Sequence, residues 1–416
     1  MGSLRILYLS AYWPRSQPLC GGEWRALGIG RALRELGSVQ TIVVRSGANQ
    51  EARANQTTNE LNVVRFIEPR PRFRQGLPGK VRWIVDPSIP YPLGFGVDAD
   101  ASAFVSQKIN DSDLVWFCNF RTPYMFENSI WPKSVLDVDD LPSCFEKSML
   151  PAATGFRDSV ARMLRIYSWR RRESTLGKRF TVLATCSDSD ETYLRKIGCS
   201  GPVHVIPNGF DQPSGDPVRR PVTPPRIGFV GPFAHPPNLE GIRWFAKECW
   251  PLIKLQVPDA RLRIVGKGSE SELKPIGSDI DGLGWVPDLA EEMASWSLMV
   301  VPIRSGAGTR VKLAQALSLK CPVVSTSYGA YGYNAKDGTY MLLADAPDAF
   351  AKACVGVVGS PMQARAMANR AWQDFLQNWT WDAIAPRVWA AAEECLRRSK
   401  NQHSEASTSI PDPRNP

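Results

Sequence analysis

A strand–helix–strand rhythm that stops once and then restarts constrains the fold of this chain most. "LRILYLS" (4–10) is a short apolar run that predicts a buried strand. "GGEWRALGIGRALRELG" follows, with Trp24, Leu27, Leu33 and Leu36 near helical spacing and Gly37 as a stop. "VQTIVV" (39–44) predicts a second strand, completing the βαβ unit of a parallel sheet. Further strands are predicted at 62–67, 113–118, 134–139, 180–187 and 203–208. The Pro-rich polar run "DQPSGDPVRRPVTPP" (211–225) predicts a linker. The rhythm then resumes, with strands at 226–231, 261–266, 297–302 and 322–327 and an amphipathic helix at 238–253 capped by Asn238. Two α/β domains joined near residue 210 are expected, with ligand where the carboxyl ends of both sheets face a cleft.

Bulk properties narrow the function. The 416 residues carry 43% hydrophobic and 22% charged residues, enough for an ordinary core in each domain. The nine cysteines include no C-x-x-C pair and the histidines number three, which argues against a disulfide framework or a zinc site. With no apolar run of membrane-span length and no signal-like N-terminus, a cytoplasmic protein is expected. The net charge of +9 is uneven: residues 1–207 hold 27 Lys/Arg and 20 Asp/Glu, giving +7, and the rest 23 and 21, giving +2. Such an excess favours a negatively charged partner, and charge alone does not choose among nucleic acid, anionic lipid and a phosphorylated small molecule.

The chemistry concentrates in "SGAGTRVKLAQALSLKCPVVST" (305–326). Gly306 and Gly308 allow close approach of a ligand, and a helix starting near Thr309 would aim free N–H groups and its positive end at the loop. Arg310 and Lys312 add two charges suited to a diphosphate. Taken alone, the stretch is equally a Gly-rich turn with two solvated cations. "GG" (21–22) after the first strand, "VIPNGFD" (205–211) and "GWVPD" (284–288) change that balance.

In their order and spacing, together with "VGPFAHPPNLEGIRWF" and "ARLRIVGKG", these stretches resemble family-4 retaining glycosyltransferases of GT-B fold, in an Arg-x-Lys subtype. The resemblance covers nearly the whole chain. It implies an α/β GT-B architecture of two Rossmann-like domains whose parallel sheets face a central cleft. Residues 1–207 would form the acceptor-side domain and 208–378 the nucleotide-sugar-binding domain. Residues 379–399 would form a helix crossing back to the first domain, followed by a disordered tail at 400–416. Transfer of a hexosyl group from a nucleotide-sugar is implied, UDP- or GDP-linked, to a glycan or lipid-linked acceptor in polysaccharide or glycolipid biosynthesis. It needs neither metal nor other cofactor. Arg310 and Lys312 would hold the donor diphosphate, helped by Gly21, Gly22, Gly231, Gly306, Ala307, Gly308 and Thr309, with Val286 against the base and Gln315 toward the ribose.

Two positions depart from the family. Its common Glu-x7-Glu pair is Ala307 and Gln315 here, and a neutral residue in place of the second Glu weakens a ribose contact by about 1 kcal/mol. Where many relatives carry a histidine near the reacting sugar, this chain has "LDVDDLPS" (136–143). Asp139 and Asp140 would then touch donor or acceptor sugar, or else cap a turn. A divalent metal on this D-x-D is not expected, because two cations already serve the phosphates. These departures leave one alternative, a degenerate GT-B protein that binds nucleotide or glycan without transfer. A nucleic-acid partner is not expected, since the cations are not interleaved with a reader motif.

Two basic stretches remain, 65–82 and 157–179, with six and eight cations. The second interleaves Val160, Leu164, Tyr167 and Trp169. It predicts a helix packed on the core with a solvated polar face, or one lying on anionic lipid at the inner face of a membrane. Trp379 and Trp381 are expected to be packing anchors.

Overall fold

The computed structural model describes residues 4–15, 18, 20–45, 60–71, 77–86, 95–126, 130–272, 277–333 and 335–408. The chain forms two compact units that interleave in sequence. Met1–Pro18, Arg25–Ile206 and Ala385–Pro416 make the first, Leu19–Trp24 and Pro207–Ile384 the second.

The first unit holds a seven-stranded parallel sheet of β1 (Leu4–Ser10), β2 (Gly37–Val44), β3 (Val63–Ile67), β4 (Leu114–Cys118), β5 (Trp131–Asp137), β6 (Phe180–Thr185) and β7 (Val203–Val205), ordered β3-β2-β1-β4-β5-β6-β7. Ile6, Leu7, Tyr8 and Leu9 of central β1 are all buried, which is why the strand is continuously apolar rather than alternating. Helix α1 (Gly21–Leu36) links β1 to β2 and buries Ala26, Leu27, Ile29 and Leu33. The Tyr8 hydroxyl donates to the Ala26 carbonyl at 2.9 Å, fixing helix on strand. Helices α2 (Leu77–Val85) and α3 (Phe156–Glu173) pack on each other through Trp83 and Trp169, whose rings meet edge-on at 5.4 Å.

The second unit repeats the plan with six parallel strands. These are β8 (Arg226–Val230), β9 (Arg261–Val265), β10 (Ile280–Gly284), β11 (Leu298–Val301), β12 (Val323–Ser325) and β13 (Leu342–Leu343), ordered β10-β9-β8-β11-β12-β13. Both sheets therefore reverse direction beside their first strand, which places crevices for ligands at the carboxyl ends of the strands.

Several elements differ from the sequence reading. The helix expected at 238–253 starts earlier as α4 (Pro236–Trp244), passes through a π turn at Phe245–Cys249 and continues as Trp250–Gln256. Its N-cap is His235, and Asn238 lies inside the helix with its side chain turned to other work. Helix α5 (Val311–Ser318) begins two residues past Thr309, with Arg310 at its N-cap. The 211–225 stretch has no regular structure over most of its length, yet it lies down on the second unit. Arg220 and Val222 donate backbone N–H groups to Ala294 and Ser295 carbonyls at 2.9 and 3.1 Å. The last helix, α6 (Trp381–Thr408), runs past residue 400, where a disordered tail was expected to start. Residues 409–416 of that tail, and residues 72–76 of the first basic stretch, lie outside the described residues.

Candidate functional site

Three loops leave the carboxyl ends of adjacent strands in the second unit: Gly231 after β8, Gly266 after β9, and 302–310 after β11. Gly231 and Gly266 have positive φ, 156° and 147°. A Cβ on Gly266 would meet the Gly231 carbonyl oxygen at 2.0 Å, and one on Gly231 would meet the Asn238 amide nitrogen at 2.6 Å and Lys312 Nζ at 2.9 Å. Both positions exclude a side chain so that backbone and cation can share one small space.

Lys312 lies in the first turn of α5. Its ammonium donates to Asn238 Oδ1 at 2.7 Å and sits 4.2 Å from the centre of the Phe229 ring. Asn238 is fixed in turn by donating Nδ2 to the Pro232 carbonyl at 2.9 Å, so its oxygen must face the lysine. Among the described residues no carboxylate pairs with Lys312. Burial, then the nearby Arg310 charge, push the Lys312 ammonium well below the usual lysine value. The His235 imidazole is pushed down to about 4 by its packing and by the charges of Lys312 and Arg310.

Arg310 is buried and folds back over its own loop. Nη1 donates to the carbonyls of Ala307 and Gly308, the latter at 2.9 Å, and Nη2 to that of Ser305 at 3.2 Å. Gly306 and Gly308, with φ of 109° and 69°, give the loop the curvature that brings these carbonyls round the guanidinium. The Tyr328 hydroxyl donates to the Gly306 carbonyl, and its ring lies 5.7 Å from the guanidinium. Thr309 is buried, and its hydroxyl has no hydrogen-bond partner among the described residues. At the loop's far end Glu240 of α4 meets Arg304 and Ser305, each at 3.5 Å.

The structure thus brings Gly231, Gly306, Ala307, Gly308, Thr309, Arg310 and Lys312 to one place. Gln315 follows one turn later on α5 and is half-buried. Val286, after β10, packs its side chain partly on the core. Gly21 and Gly22 open α1 and group with the second unit, as does Trp24, whose ring lies tilted against Phe210 at 4.3 Å. Asn238, His235 and Glu240 were not picked out as site residues from sequence. Asn238 resembled a cap, and the "HPPN" run that precedes a strand-following helix was the available signal.

In the first unit the aspartates have a different setting. Arg25 of α1, wholly buried, donates to both oxygens of Asp137 at 2.7 and 2.8 Å and to the Ile206 carbonyl at 2.8 Å. Asp139 lies 3.7 Å from Arg25, is buried, and has a φ of 53°. Burial opposes the Arg25 charge, but Asp137 and Asp139 outweigh it and hold the group charged. Asp140, next in sequence, is exposed. The D-x-D motif is therefore filled by a guanidinium. Among the described residues no group of three His, Cys, Asp or Glu is placed to hold a metal ion.

Trp379 and Trp381 are buried, Trp379 against Tyr333 with ring centres 4.4 Å apart, which makes them packing anchors.

Comparison with known proteins agrees with this frame. Residues 224–359 match the family described as "Glycosyl transferases group 1". An uncharacterized 44.6 kDa protein in the cps region of Klebsiella pneumoniae is 32% identical over 134 residues, covering 30% of this chain. The match spans about a third (34%) of that relative's length. Among solved structures, Anabaena HepE in complex with UDP-glucose aligns over 93% of this chain and 98% of its own, at 14% identity and a TM-score of 0.61. The pneumococcal O-GlcNAc transferase GtfA, in complex with UDP and GlcNAc, aligns over 94% and 99%, at 12% identity and a TM-score of 0.64. The chain has the GT-B fold, and the stretch of its second unit that matches the group 1 family is residues 224–359.

Proposed function

We propose that this chain is a retaining, metal-independent glycosyltransferase that moves a hexosyl group from a nucleotide-sugar to a glycan or lipid-linked acceptor. The observation that carries the reading is Lys312. A half-buried ammonium without a carboxylate partner, beside an unpartnered Thr309 hydroxyl and the start of α5, calls for an anion. A diphosphate supplies one, and its charge grows as the glycosidic bond breaks. Lys312, the N–H groups of α5 and the loop that Arg310 holds in shape stabilise that charge. Arg310 acts first on the loop, since its guanidinium already binds three of the loop's carbonyls.

Same-face attack, in which the departing phosphate takes the acceptor proton, requires no protein base. Acceptor contact is assigned to exposed Asp140 in preference to Asp139, which is buried beside Arg25. The UDP named with HepE and GtfA supports a uridine donor, and the relative in a cps region supports a role in polysaccharide assembly.

Calorimetric titration of UDP, GDP, ADP and NAD into wild type and into Arg310→Ala/Lys312→Ala tests this. One diphosphate should bind and be lost in the double variant. Binding of none would leave a GT-B protein without transfer activity.

A further inference from the structure

Helix α3 inverts the amphipathy expected of it. Its inner face carries the polar work. Arg162 and Arg165 pair with Glu146 at 3.4 and 2.9 Å, Arg162 also meets Asp158 at 3.3 Å, and buried Arg172 donates to the Trp83 and Asp86 carbonyls at 2.7 and 2.8 Å. Of the four apolar residues singled out in the sequence, Trp169 alone is fully buried. Phe156, Met163, Leu164 and Tyr167 are 42–83% exposed. At 3.6 residues per turn these four fall on one side of the helix. The helix does pack on the core through Trp169, but the face expected to be polar and solvated carries an apolar stripe.

The stripe continues onto α2, where Val81 and Val85 are exposed. Arg171 joins the two helices, donating to the Val85 carbonyl at 3.0 Å with its guanidinium 5.7 Å from the Tyr167 ring. Cations frame the stripe: exposed Arg157 and Arg170 lie on opposite flanks at helical spacing, and exposed Arg82 lies on α2. The nearest α3 acids, Asp158 and Glu173, do not offset them. Asp158 is tied to Arg162, and Glu173 is buried against Ser143.

Exposed aromatic and aliphatic side chains framed by arginines match a surface that is apolar below and anionic above. We propose that the α2–α3 face of the first unit docks on an anionic lipid surface, with Phe156, Met163, Leu164 and Tyr167 entering the acyl boundary and Arg157 and Arg170 meeting headgroup phosphates. The +7 charge of residues 1–207 acts in the same direction. This inference stands apart from the sugar-transfer reading, because it uses no residue of the second unit.

Vesicle flotation tests it, with phosphatidylcholine vesicles against phosphatidylcholine mixed with phosphatidylglycerol. Wild type should float with the anionic vesicles at low salt and not with the neutral ones. Phe156→Ser/Met163→Ser/Leu164→Ser/Tyr167→Ser should stay at the bottom while keeping the wild-type circular dichroism spectrum. Arg157→Gln/Arg170→Gln should weaken binding about fivefold for each arginine removed. No flotation of wild type, or equal flotation of the quadruple variant, overturns the proposal. So does a wild-type dimer that the quadruple variant abolishes without any vesicle binding, which would make the face a contact between copies.

Discussion

Lys312 Nζ lies 2.7 Å from Asn238 Oδ1, and the amide that supplies this oxygen is itself locked by the Pro232 carbonyl. The lysine is thus aimed by a neutral group. A carboxylate in that role would neutralise the cation and compete with an incoming phosphate. An amide positions the charge and leaves it available.

Asn238→Asp supplies such a competitor. UDP affinity should fall about tenfold or more in this variant, as expected for weakening a charge-assisted contact. Calorimetry on folded protein gives the value, and unchanged affinity would mean the phosphate does not reach Lys312.

Gly231→Ala sets a methyl group against the Asn238 amide and Lys312 Nζ, both under 3 Å from the new Cβ. Stability should drop by about 1–3 kcal/mol, with loss of nucleotide binding. Thermal melts with and without UDP separate the two effects, since a variant that still binds will still be raised by ligand.

Arg25→Met leaves Asp137 buried without its cation, and should destabilise the protein by about 3–5 kcal/mol in urea unfolding. Arg25→Met/Asp137→Leu removes both charges and should recover most of that loss. If the double variant is as unstable as the single, the pair does more than neutralise itself.

Glu173 gives a pH signature. Burial raises its carboxyl to about 7, opposed by hydrogen bonds from the Ser143 N–H and hydroxyl. The folded state therefore holds this proton more tightly than the unfolded chain. Its contribution is fully present below about 4.5, the unfolded value, and is lost as pH rises toward about 7. Denaturant titrations across that window should show stability falling with pH, and Glu173→Gln should flatten the slope.

The sheet strands and the βα rhythm were legible because a strand segment buried on both faces must be apolar throughout, as at 6–9 of β1. The glycine loop with its two cations was legible as well, because close backbone approach and charge leave few residue choices. The direction in which a side chain turns was not. Asn238 resembled a helix cap because it sits near a helix start, and its partners, Pro232 and Lys312, are set by loop geometry. The outward face of α3 was hidden for a related reason. Sequence periodicity shows that apolar residues share a side, but whether that side meets the core depends on what the opposite side binds. Here Glu146 and the α2 carbonyls claim the arginines.

The interleaved units have a consequence for how the protein is made. Helix α6 completes the first unit, with Glu394 2.7 Å from His204 and Trp389 donating to the Ala32 carbonyl at 2.9 Å. Those partners leave the ribosome early and wait until the whole of Pro207–Ile384 has followed. During synthesis the flank of α1 near Ala32 is uncovered, and the second unit can be complete before the first. Closing so long a loop adds little entropy beyond closing a shorter one, because the penalty grows only with the logarithm of length. The delay is one of time more than of equilibrium, and it falls on the unit that also bears the exposed apolar stripe.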